Sequence, residues 1–454
     1  MKTKILFISH FIAITVLFFN TGSYRNWPYK IESDGKYYYQ YLISVWYDGD
    51  IDFANNYNHA KHSFMKLEID HYRFREHVIP ETGLPTNIFT TGSAILWSPF
   101  FLIAYGIAYI LNNLHVTAIP LDGWGQYFQY AVMYASVIYS TLTLILMYKL
   151  LSIYFSRYIS LVTSFVLFWA TNWMYYSIFE VSMSHTYDLF TLVLFVWFYL
   201  DTQNKKIGHY LVTGLLAALH VLVRTQNLLT IVIFVGYYII WSSLQTKKSL
   251  FLTLQKQLPF VAMFLLGLLP LFFTNVYIYG DIFTIPQGNN FLNLSQPELY
   301  GVLLSGRNGL FSHHPVLLLG VLGLLVVIPN YKMEKVCLNQ IVIPLLLIFI
   351  VQLYINSTVA DWWAGHSFGQ RRFISSFLLF AFGLAYLQKY IYKFVPKSEV
   401  FIMGIFVPFI LTNFLLTYIH LFFWGYDESH NILDWIFYKA LPFIYYNYII
   451  TFFN

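Results

Sequence analysis

Four short stretches hold most of the residues able to do chemistry in this chain. The first, "IESDGKYYYQYLISVWYDGD", carries Glu32, Asp34, Asp48 and Asp50 among clustered aromatics. An acid wrapped by Tyr37, Tyr38 and Tyr39 is placed to take a proton as a general base. The plainer alternative is a wet loop whose acids are solvated. The second, "FEVSMSHTYD", sets Glu180, His185 and Asp188 within nine residues. A helix starting near Ser182 would put Ser184 and Asp188 on one face, with His185 beside them. Histidine and carboxylates can ligate metals, but no HExxH or comparable spacing supports a metal site. These three and Asp34 are the candidate catalytic groups.

The third stretch is Arg224 in "LVRTQNLL", between two apolar segments. The fourth is split. "SGRNGLFSHHP" carries Arg307, His313 and His314, and "DWWAGHSFGQRRF" carries Asp361, His366, Arg371 and Arg372. Guanidinium forks grip phosphate oxygens in pairs, and Gly365 and Gly369 let a backbone come close to a ligand. Anchoring of a helix at a lipid interface is the competing role for such arginines. Arg224, Arg307, Asp361, His366, Arg371 and Arg372 are the candidate substrate-binding residues. The single cysteine, Cys337, excludes an intramolecular disulfide and any CxxC motif.

The elements that must position these groups are read from composition and hydropathy. Of 454 residues, 58% are hydrophobic and only 10% charged, against about 25% charged in soluble domains. Apolar runs recur along the whole length, so the expected fold is an all-α polytopic membrane protein. A basic start at Lys2 and Lys4 leads into an apolar run to Asn20 without a small-x-small cleavage site, which predicts a retained first span. Residues 21–91 hold nine of the 21 acidic residues together with many aromatics, and predict interfacial helices. Apolar segments follow at 92–114, 124–151, 158–178, 183–200, 208–223, 226–244, 258–279, 309–329, 338–356, 373–390, 400–424 and 434–453.

Charge placement orients them. If 92–114 lies along or dips into the outer leaflet without crossing, each inner connection is basic. Those connections hold Lys149 and Arg157, Lys205 and Lys206, Lys247, Lys248 and Lys256, Lys332 and Lys335, then Lys389, Lys393 and Lys397. If 92–114 crosses, the basic loops face outward. The expectation is about twelve transmembrane helices plus juxtamembrane helices in the first outer loop. It places the N-terminus in the cytoplasm and the protein in the cell inner (plasma) membrane. All four chemistry-bearing stretches then share the outer face. The span interiors hold almost no ionisable residues, unlike ion-coupled transporters, and no Walker loop is present. The net charge of +5 suits anionic lipid head groups, and no arginine-rich stretch argues for nucleic acid.

A basic N-terminus, one span, then an outer loop with an early acid followed by aromatics resembles the GT-C class of integral-membrane glycosyltransferases. That class includes protein O-mannosyltransferases and lipid A aminoarabinose transferases. "SDGKYYYQYL" is similar to the family's acid-then-aromatic motif and puts Asp34 at the place of its catalytic base. "FEVSMSH" falls where the second outer loop carries a further acid, and "VLVRTQN" where a basic residue often stands. "DWWAGHSFGQRRF" is similar to an outer-loop Gly/Arg pattern of some bacterial members. The Lys-Pro-Pro signature of the aminoarabinose branch does not occur; "TTGSAILWSP" stands near its place.

The resemblance implies a GT-C-like transmembrane module over 1–280, with a long first outer loop at 21–123. Additional transmembrane helices of the same membrane domain would then occupy 281–454. It implies an inverting transfer of a sugar from a polyprenyl-phosphate donor to a glycan, lipid or protein acceptor at the outer face. It requires no cofactor, although a divalent cation is compatible with it, and no metal ligand is assigned. A lipid-linked sugar flippase and a non-catalytic envelope-assembly subunit are the alternatives.

Overall fold

Apolar helices can hide their polar backbone only by bonding it to themselves, and this chain does so throughout. The computed structural model describes residues 2–24, 31–62, 78–202, 206–247, 249–288, 291–395 and 399–422. The last apolar segment of the sequence, 434–453, lies outside the described residues, as do Lys205, Lys248 and Lys397. Among the described residues the regular structure is helical, with two isolated β-bridges besides.

In chain order the α-helices are α1 (Lys2–Tyr24), α2 (Gly35–Ile43), α3 (Ala54–His62), α4 (Gly92–Asn113), α5 (Gln126–Leu151), α6 (Arg157–Trp169) and α7 (Asn172–Ile178). Next come α8 (His185–Thr202), α9 (Ile207–Val223), α10 (Asn227–Thr246), α11 (Leu250–Gln255), α12 (Leu258–Gly267) and α13 (Leu269–Tyr279). The series ends with α14 (Leu299–Leu304), α15 (Leu310–His313), α16 (Val316–Val327), α17 (Tyr331–Cys337), α18 (Ile343–Thr358), α19 (Phe377–Phe394) and α20 (Glu399–Phe422).

Among the described residues seven stretches, Thr3–Asn20, Gly92–Asn113, Gln126–Leu151, Asn227–Thr246, Leu258–Tyr279, Lys332–Thr358 and Glu399–Leu421, are long and apolar enough to cross a bilayer. Four shorter apolar helices accompany them. The protein is therefore an all-α chain with several helices suited to multiple passes through a membrane.

Local chemistry sets the helix ends. Ser156 caps α6 by accepting from the Ile159 amide at 3.3 Å. Proline stands at the first turns of α12, α13 and α18, where its missing N–H costs nothing. Expected segment 258–279 bends at Leu268, one residue into the Leu-Leu-Pro run that starts α13. Hydroxyls inside the apolar helices bond back to the carbonyl four residues earlier, as Thr141 does to Val137 and Ser164 to Ser160.

The chain forms two compact units. The first comprises 1–146 and 176–290, the second 147–175 and 291–454. The second unit thus takes in a stretch, 147–175, that the resemblance places within the 1–280 module. In the first unit α9 packs between α8 and α12, and Gly214 of α9 lies against the Phe260 carbonyl of α12. In the second unit α16 packs along α19, and α19 along α6, where buried Gln388 donates to Thr163 at 2.7 Å.

The α16–α19 contact is backbone to backbone. A Cβ on Gly323 would fall on the Gly383 carbonyl, and one on Gly383 would fall on the Gly320 carbonyl. Lipid tails are as apolar as leucine, so close approach at small residues supplies much of the packing between such helices. Gly383→Ala is expected to cost about 1–3 kcal/mol by forcing the pair apart. Gly404→Ala in α20 meets nothing within 4 Å and is expected to stay within about 0.5 kcal/mol of the parent. Thermal unfolding in detergent measures both.

Candidate functional site

Asp34 sits in a tight turn at the start of α2. The Gly35 amide bonds the Glu32 carbonyl at 3.0 Å, and Ser33 holds a left-handed φ of 50°. That conformation is strained for a residue with a side chain and persists where surroundings impose it. Here the surroundings are the segment ahead of α8. The Ser182 hydroxyl donates to the Glu32 carbonyl at 3.1 Å, the Glu32 amide approaches the same oxygen at 3.4 Å, and Gly35 packs directly on Ser182. Asp34 is half-buried, and its carboxylate does not cap the helix that follows.

The aromatics after Asp34 turn inward. Tyr37 stacks on Phe89 at 5.1 Å, Tyr38 meets Trp97 edge-on at 6.1 Å, and the Tyr39 hydroxyl donates to the Gly123 carbonyl. Tyr41 donates to the Phe89 carbonyl at 2.9 Å. Burial pushes the Tyr39 and Tyr41 hydroxyls well above the usual phenol range, so both stay protonated donors. These rings form the bed on which the Asp34 turn rests. Asp48 and Asp50 organise the next turn: Asp50 accepts from Ser44 at 2.8 Å and Asp48 from Asn56 at 3.0 Å.

The helix expected to start near Ser182 starts three residues later, because Glu180 to Ser184 form a turn that receives Asp34's loop. Helix α8 begins at His185 itself. Glu180 is half-buried in the turn. His185 accepts from Arg224 Nη1 at its Nδ1, 2.9 Å away. Arginine can only donate, so Nδ1 carries the lone pair and the neutral ring keeps its proton on Nε2. One helical turn on, Asp188 is 1% exposed and its Oδ1 accepts from Asn227 at 2.7 Å. Arg224 itself is half-buried at the end of α9. Its backbone is backed by α4, whose Gly92 lies against Leu222 and Val223. Trp97 in α4 donates to Tyr187 in α8 at 2.6 Å, locking α4 across the same helices.

No protein-family model and no curated protein matches the sequence. The functional reading therefore rests on the residues themselves.

In the second unit the stretch from Asp361 to Arg372 is a closed loop. Left-handed φ values at Ala364 (62°), Gly365 (67°) and Gly369 (63°) fold it tightly. Its two ends are tied by Arg372, which donates to the Asp361 carboxylate at 2.6 Å and to the Asp361 carbonyl at 2.9 Å. Arg372 and Asp361, which the sequence offers as substrate contacts, thus bind one another. Arg307 lies over the Trp363 ring at 4.1 Å, and Asn308 donates to the Trp363 carbonyl at 2.8 Å. His313 and His314 are fully buried beneath, with Gly369 seated on His314. Arg371 is half-buried and His366 exposed.

Arg372→Ala is expected to cost about 1–2 kcal/mol, since Asp361 keeps much of its hydration. Paired with Asp361→Ala it should cost less than the sum of the two single changes. A double-mutant cycle by thermal unfolding reads this directly.

The structure thus gathers Asp34, Glu180, His185, Asp188 and Arg224 at one end of the first unit. It gathers Arg307, Asp361, His366, Arg371 and Arg372 around one loop of the second. Sequence reasoning missed His220 and Asn227, which flank Arg224 at four and three residues. Polar side chains at helical spacing within "LHVLVRTQNLL" were the available signal. Among the described residues no group of three or more His, Cys, Asp or Glu side chains is arranged to hold a metal ion.

Proposed function

We propose that the protein is a membrane glycosyltransferase that moves a sugar from a polyprenyl-phosphate donor to an acceptor at the outer membrane face. One observation carries the reading. The strained turn bearing Asp34 is docked on Ser182, three residues before the histidine that holds Arg224. An acid and a guanidinium group are thereby gathered at one end of an apolar helix bundle.

Asp34 takes the proton from the acceptor hydroxyl as its oxygen attacks the anomeric carbon. The bond from that carbon to the donor phosphate oxygen breaks, and the electron pair leaves with the polyprenyl phosphate. Arg224 stabilises the charge that develops there, and a single displacement inverts the anomeric centre. The donor's own activated bond supplies the energy.

The packing of α4 supports the proposed arrangement of twelve crossings with a cytoplasmic N-terminus. Gly92 backs onto the last residues of α9. Gly123, beyond the other flank of α4, accepts from Tyr39 of α2, and α2 begins on Ser182 just ahead of α8. The chain thus returns, ten residues past α4, toward the end of the first unit where α8 starts and α9 stops. In the proposed arrangement α4 is a ramp along the interface that adds no crossing, and the basic connections then fall on the cytoplasmic side.

Mass spectrometry of glycolipids and glycoproteins from cells with and without the protein tests the proposal; identical glycan profiles would remove it. Vesicles holding the purified protein and a labelled lipid-linked sugar separate it from a flippase, because an enzyme consumes the lipid-sugar while a flippase moves it intact.

A further inference from the structure

Three residues on one face of α8, His185, Asp188 and Thr191, are spaced three apart and all meet the turn between α9 and α10. His185 receives Arg224, Asp188 receives Asn227, and the Thr191 hydroxyl meets His220 Nδ1 at 2.9 Å. Asn227 closes that turn in two ways. Its backbone N–H donates to the Arg224 carbonyl at 2.9 Å. Its side-chain amide donates to the His220 carbonyl at 2.9 Å, one of the last carbonyls of α9, where in-helix donors run out. The same amide nitrogen reaches the Asp188 carboxylate at 2.7 Å. His220 Nδ1 lies a longer 3.3 Å from the same nitrogen; a primary amide has two hydrogens, and the two shorter contacts, to Asp188 and to the His220 carbonyl, are the ones that take them. Arg224 is the first of only three residues between the bridged helices, so its backbone has little freedom left.

Asp188, Thr191, His220 and Asn227 are each at most 1% exposed, whereas Arg224 is half-buried. The four closed-off residues do not reach a substrate; the guanidinium can. Asp188 Oδ1 accepts from Asn227, and among the described residues Oδ2 has no hydrogen-bond partner, so the Asn227 amide is what joins this buried side chain of α8 to the turn carrying Arg224.

We infer that Asp188, His220 and Asn227 are positioning residues that aim Arg224 at the phosphate of a polyprenyl-phosphate lipid, with Asn227 as the bridge the arrangement depends on. The identity of the anion rests on the function proposed above; the positioning of Arg224 does not. The probe is undecaprenyl phosphate, and the full chain in lipid nanodiscs is the sample. Asn227→Ala should weaken binding about tenfold or more, as expected when a charged group is misplaced by an ångström. Asn227→Asp sets two carboxylates face to face and should be worse. Exchanging the pair, Asp188→Asn with Asn227→Asp, restores a donor and an acceptor between α8 and α10 but leaves the His220 carbonyl without its amide donor, so it should recover only part of the binding.

A second readout is independent of the lipid. In histidine-labelled protein the ¹⁵N signal of His185, assigned by its loss in His185→Gln, reports the Nε2–H tautomer imposed by Arg224. It should shift in Arg224→Ala and in Asn227→Ala, and return in part in the exchange variant. An unchanged His185 signal in Asn227→Ala overturns the inference, whatever the lipid does. Parent protein that fails to bind undecaprenyl phosphate, with the His185 signal shifting as described, overturns the lipid-phosphate reading and upholds the positioning.

Discussion

If the proposed function holds, Asp34→Asn is expected to lower sugar transfer by about 10²–10⁴-fold, the usual contribution of a general base. The variant should fold and insert normally. Asparagine has the same shape, and the Asp34 carboxylate makes no cap bond on α2 whose loss would weaken that helix. The turn is held by backbone bonds and by Ser182, none of which involves the carboxylate. The substitution therefore removes the carboxylate's capacity to accept a proton while keeping the side chain's shape. The measurement is the turnover of a polyprenyl-phosphate sugar by purified protein in liposomes, with donor binding followed in parallel. Binding should persist while turnover falls. A variant with full turnover would exclude Asp34 as the base, and one that fails to insert would show the residue to be structural.

Arg224→Ala is the second large effect, a loss of about 10²–10³-fold in turnover, comparable to removing one charge-stabilising donor from a reacting anion. Its signature differs from that of Asp34→Asn. In the proposed mechanism Arg224 meets the phosphate in the bound donor and again, more strongly, as the leaving group gains charge, so both donor affinity and kcat should fall. Arg224→Lys should restore only part, because an ammonium is a point charge that cannot reproduce the fork. It also cannot span both His185 and a phosphate with the same geometry. If Arg224→Ala leaves donor affinity and turnover intact, the phosphate contact belongs elsewhere, and the arginines of the second unit become the leading candidates.

These predictions draw on two kinds of information. That the chain is helical and suited to a membrane follows from its composition, because a chain this poor in charge and rich in long apolar runs has no other way to satisfy its backbone in lipid. Even helix bounds were legible where turn chemistry is strong. Expected segment 92–114 matches the helix Gly92–Asn113 to one residue, and the expected 226–244 starts one residue before and ends two before the helix Asn227–Thr246. Bounds shifted where proline or a loop contact intervenes, as at Leu268 and at the Glu180–Ser184 turn.

Which stretches hold acids, imidazoles and guanidinium groups was likewise plain from the residues: Asp34, the Glu180–Asp188 run, Arg224 and the 361–372 loop. What each group does there was not. Arg224 and His185 are 39 residues apart, as are Asn227 and Asp188, and they meet because α8, α9 and α10 pack side by side. Arg372 reads in sequence as a phosphate clamp, yet it folds back on Asp361. Residue type and spacing set what chemistry is possible, since protonation and charge are properties of side chains. Hydrogen-bond partners between helices depend on rotation and depth of packing, which no local pattern encodes, and it is those partners that separate a reacting group from one that holds it in place.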